Sequence, residues 1–277
     1  YPDMVSSGVD TFPHSLHYDL IDITANNGRG KYLSKENLLL STSSERIEGI
    51  RHCNGRDWWV IAQNALTDSF HVWSLTSSGM SQIAQIFDSG NKNKERKNII
   101  IGDLKSSHSG AYLVEATLGN RIEYPMKNSW NENSSLEVHR FDPSSGRIYD
   151  GIDIIVDSLV DFFSAEFSSD DRMIYSGHPM TQFDISSFDP SKISTSAFSF
   201  DNYYSYIPIL GKNQELYLSN GAGPFNFWFS NYLGHVKSPR RRGYDAIFKD
   251  LYLNLGDSAN INALPPHFAQ SIRFPYK

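Results

Sequence analysis

The stretch Ser169–Ile185, SDDRMIYSGHPMTQFDI, decides the fold. A polar turn, Ser169-Asp170-Asp171, runs into Met173-Ile174-Tyr175, too short for a helix and of the composition that a pleated, half-buried strand prefers. A second, imperfectly alternating run follows, Met180-Thr181-Gln182-Phe183-Asp184-Ile185, and a polar turn over Ser186 to Pro190 closes the unit.

Working outward, the same order recurs along the chain. Gly55-Arg56-Asp57 leads into Trp58-Trp59-Val60-Ile61, Ser109-Gly110 into Ala111-Tyr112-Leu113-Val114, and Lys212-Asn213-Gln214 into Leu216-Tyr217-Leu218. The runs His17 to Ile23, Phe70 to Leu75 and Leu136 to Phe141 match the alternating strand. Each meets a turn rich in Gly, Asn or Ser: Asn26-Asn27-Gly28, Ser77-Ser78-Gly79 and Asp142 to Gly146. A further strand is expected after the turn, as over Met80 to Phe87 and Arg147 to Ile155. Turn, strand, turn, strand in a fixed order is the pattern of stacked antiparallel blades. The expected fold is therefore all-β, a β-propeller of four-stranded antiparallel blades, forming a single domain over residues 1–277 with units near 1–42, 43–90, 96–156, 159–200 and 203–277. A β-sandwich is the alternative, but two stacked sheets do not demand one order four times over.

The spacing of the units is uneven, roughly 40–65 residues against ~40–50 in familiar blade families, and the excess falls in polar loops at 90–97 and 127–135. Residues 1–42 supply only the outer strands of a blade. A closed ring leaves no open strand edge, so the inner strands of that blade are expected from the segment Ile261 to Phe274 or from sequence before Tyr1. The opening Tyr1-Pro2-Asp3-Met4 reads like the interior of a longer polypeptide, an incomplete ring lacking N-terminal blade sequence.

Composition narrows the function. Aromatic residues make up 13% of the chain, ample for a packed core, and the formal net charge is −6. That balance speaks against nucleic acid as a principal partner, because phosphate binding needs concentrated Lys and Arg. The single cysteine, Cys53, excludes an internal disulfide framework and a CxxC metal site. No apolar run approaches the ~20 residues of a membrane-spanning helix.

Several blocks resemble a known family. Tyr1 to Asp10, Leu16 to Asp22, Asn26 to Gly30 and above all Asn54-Gly55-Arg56-Asp57-Trp58-Trp59 are similar to the WD40-like β-propellers of bacterial proteins exported by the type IX system. Phe163–Tyr175 resembles that family's repeated Phe-Ser-Pro-Asp-Gly-x-x-Leu-Tyr element, with Ser169 and Asp171 in place of the usual Pro and Gly. Gln182 to Ile185, Glu215 to Gly221 and Leu264 to Ser271 also match family segments. The resemblance implies a secreted or cell-surface protein and carries over no catalytic residue. Asp157-Ser158-Leu159 and Asp257-Ser258-Ala259 resemble the short O-glycosylation sequons of such exported proteins.

Candidate sites are sparse. There is no His-Glu-x-x-His, no Gly-x-Ser-x-Gly elbow and no phosphate-cradling Gly-x-x-x-x-Gly-Lys loop among these residues. His52, Arg56 and Asp57 could bind an anion or a sugar near a central channel, or serve as turn anchor and blade wedge. Trp228, within Phe225 to Phe229, could stack on a sugar ring. Lys237, Arg240, Arg241 and Arg242 form a basic loop suited to an acidic partner, or an exposed insertion. His14 and His17 are a spaced pair on a loop. Asp170 with Asp171, and Asp142 with Asp150, offer oxygens to Ca²⁺, but too sparsely for its ~6–8 ligands, so turn capping is the plainer reading and no cofactor is expected. The expectation is a non-enzymatic secreted or surface scaffold for a protein or glycan, with loops 90–97, 127–135 and 234–245 shaping its recognition surface. A hydrolase or lyase sited in the channel, or a structural subunit of a surface assembly, are the alternatives.

Overall fold

A computed structural model describes residues 14–89, 102–117, 134–156, 160–200, 205–221 and 229–254. Within them the chain is nearly all strand, arranged as four antiparallel sheets in chain order. The first holds β1 (His14–Asp22), β2 (Lys31–Arg51), β3 (Trp58–Asn64) and β4 (Ser69–Thr76), with the short β5 (Gly79–Met80) and β6 (Gln85–Asp88) both paired to β4. The second holds β7 (Gly102–Ser106), β8 (Tyr112–Thr117), β9 (Ser135–Asp142) and β10 (Arg147–Ile154). The third holds β11 (Asp161–Phe167), β12 (Met173–His178), β13 (Thr181–Asp184) and, after the helix α1 (Pro190–Thr195), β14 (Phe198–Ser199). The fourth holds β15 (Ser205–Leu210), β16 (Leu216–Gly221), β17 (Phe229–Val236) and β18 (Phe248–Asn254). No described helix is long and apolar enough to cross a membrane.

These sheets stack face to face as blades do. The leading strands of successive sheets, β2, β7, β11 and β15, lie against one another. A buried cluster fills each gap: Ile50, Ile61, Phe70 and Val72 meet Leu104, Leu113, Phe141 and Ile148 between the first and second sheets. Val114, Leu136, Val138 and Ile154 meet Phe162, Phe167, Ile174 and Phe183 between the second and third. Met173, Tyr175, Met180 and Phe200 meet Leu216, Leu218 and Val236 between the third and fourth. Because side chains alternate across a strand, consecutive residues serve different gaps: Leu113 joins the first, Val114 the second. The architecture is that of an incomplete propeller.

The turn that follows the leading strand, β2, β7, β11 or β15, repeats in all four sheets. The amides of Gly55, Gly110, Asp171 and Gln214 close turns onto the carbonyls of His52, Ser107, Ser168 and Gly211. All four closing residues have positive φ, so Asp171 and Gln214 carry the strain that glycine avoids at the other two. The ends of β1, β9 and β13 repeat a cap as well. Asp22, Asp142 and Asp184 each accept the N–H and the hydroxyl of the residue two positions on, Thr24, Ser144 and Ser186.

The structure departs from expectation at three places. Residues 31–51 form one strand, not two ending at 42; its first part pairs with β1 and its last part with β3, with register shifts between. The expected strand Met80 to Phe87 is broken into β5 and β6, Ser81 bonding back to Ser74 at the break. Pro190 does not merely stop a strand. It opens α1 at the first helical position, with the Asp189 carboxylate capping the Lys192 N–H. The loops 90–97, 127–133 and 222–228, the segment Ile261 to Phe274 and the sequons at 157–159 and 257–259 lie outside the described residues.

Candidate functional site

The block at Arg51 to Trp59 is a turn clamped against the next sheet. Asn54 Oδ1 accepts the N–H groups of Arg56 and Asp57, each at 3.0 Å, and Asn54 Nδ2 donates to Asp57 Oδ2 at 2.7 Å. His52 stacks on Trp59 with ring centroids 5.2 Å apart, and its Nδ1 accepts the Asn54 N–H. Trp59 Nε1 and the Cys53 N–H both donate to Pro143 O in the second sheet. The indole lies flat over Gly146, where a Cβ would sit 2.8 Å from the ring. His52 and Asp57 are thus engaged within the turn, and the Arg56 side chain stands exposed. Trp228 lies outside the described residues.

The basic loop lies elsewhere, between β17 and β18 of the fourth sheet and against the third. Tyr175 Oη donates to Pro239 O, Gln182 Nε2 donates to Arg241 O, and Gln182 Oε1 accepts the Gly243 N–H. The backbone is thereby tied down while the Lys237, Arg240, Arg241 and Arg242 side chains stay exposed. Burial pushes the Tyr175 hydroxyl above the range where it would ionise, so it stays a donor. Arg242 Nε pairs with Asp184 Oδ2 at 3.3 Å. That pair edges a cleft of about 350 Å³ whose other walls are Ser186, Ser187, Lys192, Thr195 and Ser196. Lys192 and Arg242 face one carboxylate there, so the cleft carries an excess of donors and of positive charge. Although burial would raise it, the Asp184 carboxyl is held low by Ser186 and then by Arg242, so it stays ionised.

A third group of polar residues was missed in the sequence. Between the first two sheets, Arg46 Nη1 lies 3.0 Å from Glu115 Oε1, which also accepts Gln63 Nε2 at 3.0 Å and Thr117 Oγ1 at 3.3 Å. Glu137 and His139 of β9 lie on the same face, and none of Arg46, Glu115, Glu137 and His139 exceeds 2% exposure. Burial alone would push the Glu115 carboxyl up, yet Arg46 and His139 outweigh it and hold it low. On the leading strands, Lys105 sits among Asp103, Glu166 and Glu48, all three of which raise its proton affinity against the effect of burial. Burial lifts Glu48 to about 8 and Glu166 to about 7. Ser106 Oγ donates to Glu48 and Ser164 Oγ to Asp103.

The remaining candidates are engaged locally. Asp171 accepts the N–H groups of His108 and Ser109 in the second sheet, at 2.7 and 2.9 Å. Asp170 accepts the Ser168 hydroxyl, and Asp150 pairs with Arg140 at 3.2 Å. Asp142 is pulled down to about 2 by the hydroxyls of Ser145 and Ser144. His17 contacts Glu36 O and Ser15 Oγ, and the His14 side chain is outside the description. The β1–β2 hairpin shows Leu20, Ile21, Tyr32, Leu33 and Leu38 to solvent at 45–61% exposure, on neighbouring positions and therefore on both faces.

No family profile matches the chain, and no curated protein does. Similar solved structures include a functionally unknown protein from Desulfotomaculum acetoxidans, 10% identical at a TM-score of 0.39, covering 78% of this chain and 74% of that one. Another is the extracellular domain of a protein described as a hybrid two-component system from B. thetaiotaomicron, 15% identical at a TM-score of 0.38, covering 74% of this chain and 22% of that one. A third is a periplasmic gluconolactonase of Pseudomonas aeruginosa, 14% identical at a TM-score of 0.35, covering 75% and 69%. Likeness at this level carries no activity across to this chain.

Proposed function

We propose that this chain is a non-catalytic propeller-type scaffold of an exported bacterial surface protein, and that the cleft between Lys192 and Arg242 binds an acidic glycan. The observation that carries the reading is the cleft itself. Its volume of about 350 Å³ lies at the small end of the ~300–1,000 Å³ typical of ligand sites, room for one or two sugar units. Its walls offer hydroxyls, an ammonium and a guanidinium, and Arg keeps several donors after pairing with Asp184. The exposed Arg240, Arg241 and Lys237 on the same loop extend the positive field toward an anionic chain. Export rests on the family resemblance.

The non-catalytic half of the reading is supported by where the buried ionisable groups lie. Glu48, Lys105, Glu115, Glu137, His139 and Glu166 are all exposed by 6% or less, so a substrate has no route to them in this arrangement. His52 and Asp57 serve the turn in this reading.

An array of uronic-acid and sulfated oligosaccharides beside their neutral counterparts tests it. Binding to the acidic set that weakens with salt, and falls about tenfold or more in Lys192→Ala/Arg242→Ala, is expected. Equal binding to neutral sugars, or an unaffected double variant, would overturn it. A second reading has its own observation: the exposed apolar β1–β2 hairpin favours a subunit that docks into a larger assembly through that edge. Loss of the assembly in Leu33→Glu/Leu38→Glu, with glycan binding intact, would establish it beside the first.

A further inference from the structure

Glu115 of β8 stands directly opposite Glu137 of β9, and His139 lies two residues on, so all three project from one face into the first inter-sheet gap. Like charges placed opposite each other across strands repel, and here both are buried. One oxygen of Glu115 is saturated by Arg46, Gln63 and Thr117. Its other oxygen, Oε2, has no hydrogen-bond partner, and neither has His139 Nε2. These two atoms face each other at 3.8 Å, and Nε2 is 4.0 Å from Glu137 Oε2. Phe70 packs edge-on against the imidazole, with centroids 5.0 Å apart. On the ring's other nitrogen, Gly151 leaves the space: a Cβ there would fall 2.9 Å from Nδ1.

Gln63 Nε2 also donates to Asp68, so the network joins Glu115, Glu137 and Asp68 to one guanidinium, Arg46.

We propose that Glu115, Glu137 and His139 bind a divalent transition-metal ion that bridges β8 and β9 within the gap. One imidazole and two carboxylates suit Zn²⁺ or a similar ion. Two ligands each ~2.1 Å from a shared ion stand at most ~4.2 Å apart. The 3.8 and 4.0 Å separations already satisfy this, and the whole set lies within 4.8 Å, so the widest pair closes by about half an ångström. Arg46 on Oε1 leaves Oε2 for the metal. The competing state is a proton on His139 in place of the ion. The proposal is independent of the glycan cleft.

The test uses the whole chain, stripped with chelator and then titrated with ZnCl₂ and, separately, CoCl₂. About one ion per chain should remain after gel filtration, and Tm should rise by roughly 5 °C in the presence of ion well above Kd. The Co²⁺ form should show a visible spectrum with one imidazole ligand. His139→Gln should abolish retention, whereas His14→Gln/His17→Gln and Cys53→Ser should not. If His139→Gln does not fold, the imidazole ε1 proton signal decides on the wild-type protein: the His139 resonance must shift or broaden with Co²⁺. No retained ion, retention lost only in the His14/His17 or Cys53 variants, or a His139 resonance that responds to pH but not to metal would overturn the proposal.

Discussion

The first and second inter-sheet gaps share the β7–β10 sheet, one on each face, and they are built differently. Toward the third sheet it presents Val114, Ala116, Leu136 and Val138, which meet Phe162, Phe167, Ile174 and Phe183 in an apolar contact. Toward the first sheet it presents Leu113 and Phe141, but also Glu115, which meets Arg46 and Gln63, with Glu137 and His139 beside it. Apolar contact is tolerant of small shifts, while a buried ion pair demands one geometry and penalises every other. The second gap therefore supplies cohesion, and the first supplies register at a cost in desolvation.

That contrast can be broken by mutation. Arg46→Met leaves the Glu115 carboxylate buried without its cation and should cost about 3–5 kcal/mol in denaturant unfolding under chelator. Adding Glu115→Leu should restore most of the loss, because a well-packed apolar pair often matches a buried ion pair. In the second gap Phe183→Ala should also cost about 3–5 kcal/mol, through a cavity, and no partner substitution of this kind should repair it. A double variant in the first gap as unstable as Arg46→Met would mean that the charges there are worth more than shape.

The leading strands sharpen the comparison by pH. Burial raises Glu48 to about 8 and Glu166 to about 7, with Lys105 and Asp103 beside both, Ser106 on Glu48, and the Phe167 and Leu210 N–H groups on Glu166. In the unfolded chain each titrates near 4.5. Between these values the folded state binds more protons, so stability is fully present below pH ~4.5 and is lost as pH rises to about 8. A fall of about 2–4 kcal/mol across that window is expected, and Glu48→Gln should flatten its upper part. Glu115 runs the other way: its lowered carboxyl contributes stability that disappears as pH falls below its ordinary range. A flat stability profile from pH 5 to 8 would mean that Glu48 and Glu166 are ionised in the folded protein.

How much of this was legible differs by region. The second strands were readable because Trp58 to Ile61 and Met173 to Tyr175 are bounded by turns whose residues tolerate positive φ. The all-β class and its separate antiparallel sheets followed from that order. The buried charges were not readable. Alternation in Leu136-Glu137-Val138-His139-Arg140-Phe141 suggests one wet face, which is right for a sheet with one covered side. Here both faces are covered, so the polar set faces a neighbouring blade. A signal did exist: Glu115 and Glu137 occupy the middles of consecutive strands, where an inner blade has no solvent face. The cleft was half legible, since the basic loop stood out, whereas its closure by Asp184 and Lys192 depends on α1, too short to announce itself by periodicity.

The smallest effect lies at the rim of the apolar gap, where Asp171 reaches across to the His108 and Ser109 N–H groups. Here too a charged group spans two sheets, as in the first gap. Asp171 also sits at φ +58°, a conformation that favours glycine, so the residue trades backbone strain for a bridge. Asp171→Ala loses the bridge and keeps the strain, and should cost about 1–2 kcal/mol. Asp171→Gly loses the bridge but relieves the strain, and should cost about 1 kcal/mol less than the alanine variant. If alanine equals the wild type in denaturant midpoint, the bridge adds nothing and this rim holds by packing alone. If glycine and alanine are equally poor, the carboxylate outweighs the backbone, and even the apolar gap relies on a charge to set its register.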